Sequence, residues 1–127
     1  MYMKKLLLAL CVMLSGCTTL QSWIPSFWDD NQSARIIDIQ VKIQEINCTQ
    51  PQDYQVRPIL YDLEWFERYS RAKGHAQADV LRLTAPMKET VAAWVQRGNG
   101  SPAYCTLKKK ILEQESERAA KAVLGRY

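Results

Sequence analysis

Apolar residues recur at helical spacing in four successive stretches between residues 31 and 124, and this repeated 3.6-residue period constrains the fold more than any other feature. In the first stretch Ile36, Ile39, Ile43 and Ile46 follow one another at spacings of three, four and three. Ile37, Ile39, Val41 and Ile43 also alternate, which is the pattern of a strand. The length of the stretch favours a helix over residues 31–47, although β-branched side chains lower its intrinsic propensity. Asp29, Asp30, Asn31 and Ser33 are all N-cap types, whose short side chains accept from free backbone N–H groups.

Residues 49–53 read as a loop, and Pro58 suits the first turn of a second helix, where a missing N–H costs nothing. Ile59, Leu63 and Phe66 form its apolar stripe, Glu64–Arg68 and Glu67–Arg71 are helix-favouring i,i+4 pairs, and Gly74 is a natural stop. Asp79 is suited to cap a third helix carrying Val80, Leu83, Met87, Val91 and Trp94 on one face through residue 97. Pro86 removes a donor inside it, but the stripe keeps phase across Pro86, so the spacing predicts one kinked helix. Gly98 and Gly100 end it. Ser101 and Pro102 then form a cap and first position for a fourth helix reaching Leu124. Leu112, Ala119 and Val123 share one face of that helix, with Leu107, Ile111 and Ala122 beside it. Short connections between four helices predict an all-α, up-down bundle. At 127 residues, 47% of them hydrophobic and 24% charged, the chain suits one small domain and not a disordered segment.

The first residues carry a different signal. Lys4 and Lys5 precede a short apolar run, Leu6 to Leu14, too short to span a bilayer. Leu14-Ser15-Gly16-Cys17 follows, and this resembles the lipobox of bacterial lipoproteins. The resemblance implies a signal peptide at 1–16, acylation of Cys17, a lipidated tether at 17–30 and a helical periplasmic domain at 31–127. Several acyl chains, at about 0.8 kcal/mol per buried methylene, hold such a protein firmly to a membrane. Thr18 after the Cys, where Asp favours inner-membrane retention in the family, implies the outer membrane and its periplasmic leaflet. Removing Lys4 and Lys5 leaves 15 basic against 13 acidic residues, so the mature charge is about +2 and carries no nucleic-acid footprint.

Processing also settles the cysteine arithmetic that the resemblance implies. Cys11 leaves with the signal and Cys17 is acylated, so Cys48 and Cys105 remain in an oxidising compartment, where they are expected to form one disulfide. Cys48 ends the first helix and Cys105 begins the fourth, and an up-down order brings those ends to the same pole. His75 is the only histidine and no CxxC spacing occurs, so neither a metal nor another cofactor is expected. Asn47-Cys48-Thr49 matches a glycosylation sequon that a bacterial lipoprotein would not normally use.

Functional signals are sparse. Trp23, Ile24, Phe27 and Trp28 crowd the tether, either as an interfacial anchor or as a segment folded back on the domain. Lys108-Lys109-Lys110 suits a solvated face or a contact with anionic lipid. Asp62, Glu64 and Glu67 sit among Arg residues, as in a surface ion-pair lattice, and no nucleophile motif supports an enzyme or a small-molecule substrate. Tyr61, Trp65 and Tyr69 form a second stripe on helix two, either partner-binding or core. The mature part resembles small lipoproteins of tailed phages. That likeness implies a lysis role of the outer-membrane spanin type, or exclusion of competing phage, although no long Pro-rich segment is present. A secretin pilotin shares the architecture. The general expectation is a binding or scaffolding module acting on an envelope protein.

Overall fold

The structure is a computed structural model that describes residues 29–74 and 77–125. The Leu14–Cys17 lipobox, the aromatic residues from Trp23 to Trp28 and His75 lie outside the described residues. Four helices occupy the described chain: α1 (Asp30–Gln44), α2 (Asp53–Ala72), α3 (Ala78–Arg97) and α4 (Pro102–Leu124), and no strand occurs among the described residues. Each helix packs on its neighbours in sequence and α1 packs on α4, which closes a ring of four. Their directions alternate. Tyr69 near the end of α2 reaches Asp29 at the start of α1, Lys88 of α3 reaches Glu67 of α2, and Lys109 of α4 donates to the Ile46 carbonyl beyond α1.

The apolar stripes build the core. Ile36, Ile39, Ile43 and Ile46 meet Ile59, Leu63 and Phe66, together with Met87, Val91, Trp94, Leu112, Ala119 and Val123. Burial of the first stripe and exposure of Ile37 and Val41 resolve the helix–strand ambiguity, because only helical spacing separates those two sets. Leu83 and Ile111 are half-buried, whereas Leu107 is exposed. A disulfide joins Cys48 to Cys105 with Cα atoms 5.6 Å apart, inside the range that bridged cysteines require. It closes a long loop, for which chain entropy gives a contribution of roughly 4 kcal/mol.

Caps explain most helix ends. The Asp29 carboxylate accepts from Gln32 N at 2.9 Å, and Ser101 Oγ accepts from Tyr104 N at 3.1 Å with Pro102 in the first helical position. Gly74 and Gly98 take positive φ, +96° and +76°, where a Cβ would strain the backbone. Two expectations are corrected. Helix α2 begins at Asp53, so Pro58 lies inside it and not in its first turn. The early start is held from a distance: Asn99 Oδ1 accepts from Gln52 N (2.9 Å) and Asp53 N (3.1 Å). Helix α3 starts at Ala78 with Gln77 in the cap position, so Asp79 belongs to the first turn, where its charge suits the helix dipole. The helix continues through Pro86.

Buried polar groups lock both poles. Gln32 Nε2 donates to Ser70 Oγ and Gln77 Oε1, each at 2.9 Å, and so joins α1, α2 and the start of α3. At the opposite pole Gln52 Oε1 accepts from Trp94 Nε1 (2.9 Å) and Gly100 N (3.2 Å), while its Nε2 donates to the Gly100 carbonyl. Residues 98–101 therefore end α3, cap α2 and cap α4.

Candidate functional site

The α1–α2 seam is built from alternating charge and aromatic contacts. Asp62 of α2, almost fully buried, accepts from Arg35 Nη1 at 2.8 Å and from Lys42 Nζ at 2.5 Å, both on α1. Lys42 also pairs with Asp38 at 2.9 Å. Hydrogen bonds to Asp62 and Asp38 raise the Lys42 pKa, and the bond from Lys42 is the main cause that lowers that of Asp38. At the head of the seam Lys73 Nζ, Tyr69 Oη and Gln32 N all donate to Asp29. Burial opposes ionisation of Asp29, but these three donors outweigh it and hold its pKa below the ordinary value.

The stripe expected from sequence divides on this seam. Trp65 is half-buried: its ring stacks on Tyr69 with centroids 4.9 Å apart and planes 8° from parallel, and the Arg35 guanidinium lies 4.4 Å from its centre. Tyr69 is half-buried and receives a bond from Asn31 Nδ2 at 3.1 Å besides donating to Asp29. These two rings are therefore partly structural. Tyr61 is 66% exposed and stands clear of the seam.

Sequence reasoning missed the rest of the face. With α2 extended back to Asp53, Tyr54 (56% exposed) and Pro58 (exposed) continue the line of Tyr61 and Trp65 at spacings of four, three and four. Helical geometry puts such residues on one side. The signal is the seven-residue interval between Tyr54 and Tyr61, which a helix with Pro58 in its first turn leaves outside. The Tyr54 hydroxyl donates to Gln50 Oε1 at 2.7 Å, which steadies the ladder's outer end. Arg68 is exposed beside it; of the two i,i+4 pairs expected on α2, Glu67–Arg71 forms, at 3.1 Å.

A shallow recess of about 290 Å³, lined by Asn31, Ala34, Arg35, Asp38 and Trp65, runs alongside this face. On the far side of α2, Glu67 is held by Lys88 at 2.6 Å, and that bond is the main cause of its lowered pKa. The arrangement offers flat ring faces and phenol hydroxyls on a rigid helix, which suits recognition of another surface. The chain matches no protein-family model, no curated protein and no solved structure.

Proposed function

We propose that the protein is a lipoprotein held at the periplasmic leaflet of the outer membrane through Cys17, and that the outer face of α2 binds an envelope protein. The observation that carries the binding reading is the exposed run Tyr54, Pro58 and Tyr61, continued by the Trp65 edge. Exposed aromatics in line on a monomer surface are more consistent with an interaction site than scattered single side chains are. The Cys48–Cys105 disulfide supports the compartment, because structural disulfides persist where the medium is oxidising. The lipobox-like residues Leu14-Ser15-Gly16-Cys17 support the anchor.

The test is a cross-linked pull-down from envelopes with wild type, Tyr61→Ala and Cys17→Ser. Tyr61→Ala should keep its place in the membrane fraction and lose the co-purifying protein. Cys17→Ser should lose palmitate labelling. Unchanged recovery with Tyr61→Ala would overturn the binding face, and full labelling of Cys17→Ser would overturn the anchor.

A further inference from the structure

Like charges gather where α3 meets α4. The Arg97 guanidinium lies 4.1 Å from the centre of the Tyr104 ring, and Lys108 Nζ lies 5.5 Å from the same centre. The ring attracts each cation, but the two cations repel one another. The other seams answer their cations: Asp62 takes Arg35 and Lys42, and Glu67 takes Lys88. The ion pairs of α4 are Lys109–Glu113 and Lys121–Glu117, which leaves Arg97, Lys108, Lys110 and Arg118 without one among the described residues. Glu115 lies on α4 between Lys108 and Arg118, but neither bonds it, and its Oε2 has no donor. Burial also disfavours its charge. Leu107, next to Lys108, is 57% exposed, more than Ile37 or Val41.

We propose that the α4 face bearing Leu107, Lys110 and Arg118, with Arg97 and Lys108 at its α3 edge, docks on an anionic phospholipid surface. The cations meet headgroup phosphates and Leu107 enters the acyl boundary. Breadth favours a layer over a single anion. Lys108 and Arg118 stand about 15 Å apart along the helix at about 1.5 Å per residue, farther than one phosphate can bridge. A headgroup layer presents anions across that length. Composition matches as well. Helices that lie in an interface combine apolar side chains with Lys and Arg, whose stems cover apolar surface while their heads reach phosphate. A purely ionic partner would leave Leu107 in water, and a purely apolar one would strand the four cations.

A photo-reactive phenylalanine derivative at Gln114, exposed two turns past Leu107 on the same face, tests the contact in the purified full chain. Irradiation with vesicles of mixed phosphatidylcholine and phosphatidylglycerol should give phospholipid adducts several-fold more often than with phosphatidylcholine alone. Added salt should erase that excess. Arg97→Gln with Lys108→Gln should cut it several-fold while circular dichroism shows the bundle intact. Arg68→Gln, which removes an exposed charge from α2, should leave it unchanged. Equal yields on the two vesicles, an excess indifferent to the double change, an equal loss with Arg68→Gln, or adducts to a second copy in place of lipid would overturn the proposal. So would loss of the excess when inorganic phosphate replaces chloride at matched ionic strength, since the ligand would then be free phosphate. An anchor at Cys17 holds the chain to both vesicles alike, so the difference between them reads the α4 face and survives failure of the anchor reading.

Discussion

Three aromatic residues spaced at i, i+4 and i+8 along α2 do different work, and substitutions should separate them. Tyr61→Ala removes an exposed ring and should change folding stability by less than about 0.5 kcal/mol, while weakening partner binding by about 2 kcal/mol. Trp65→Ala removes a ring stacked on Tyr69 and covered by Arg35, and should cost about 2–3 kcal/mol of stability. Denaturant unfolding beside the pull-down measures both; a Tyr61 variant as unstable as the Trp65 variant would mean that the ladder is core. Asp62 carries the other decisive contact. It is buried while its two cations are each about one-third exposed and Lys42 keeps its pair with Asp38, so Asp62→Ala removes the bonds that join α1 to α2 and should lower stability by about 1–2 kcal/mol. Burial of Asp62 could not be read in advance: on a helical wheel it sits beside the apolar stripe, and only the position of α1 shows that its neighbours come from another helix. The same holds for Trp65 and Tyr69, whose stripe was legible but whose partners, Arg35 and Asp29, arrive from far along the chain.

At the scale of elements, all four helices were legible, because period, Gly stops and Ser-Pro start are local signals, and the Cys48–Cys105 bridge was expected from the two cysteines that the lipobox resemblance leaves. What escaped was the start of α2. Its capping acceptor is Asn99, 46 residues further along the chain, so no residue near Asp53 in sequence announces the boundary. Helix α4 is held differently from its neighbours. The ion pairs between helices join α1 to α2 and α2 to α3, whereas those of α4, Lys109–Glu113 and Lys121–Glu117, run within the helix. Among the described residues, apart from the disulfide, the bond from Lys109 to the Ile46 carbonyl and the contacts of the Tyr104 ring with Trp94 and the Arg97 guanidinium, α4 rests on apolar packing. Reduction of Cys48–Cys105 should therefore loosen α4 first. Hydrogen exchange after reduction should rise more across residues 102–124 than across 53–72, and uniform acceleration of all four helices would contradict this.

For the whole molecule, acid should be the more damaging direction. Asp29, Asp38 and Glu67 have folded pKa values below the ordinary range, so the unfolded chain binds protons more tightly and stability falls as pH drops through about 4 and below. Glu115 has the opposite sign. Burial raises its pKa, so its ionised form opposes folding at neutral pH, and that penalty is relieved as pH falls. The unfolding midpoint should thus stay level from pH 8 to about 6 and decline below about 4, and Glu115→Gln should raise it at neutral pH with a margin that shrinks toward acid. A margin that widened toward acid would reverse the assigned sign. Surface loops ordinarily are places that accept added residues with little penalty. Residues 98–101 are not, because one inserted residue would displace Asn99 from Gln52 and Ser101 from Tyr104 together. Among homologous chains of variable length, the α3–α4 corner should be the connection whose length does not vary.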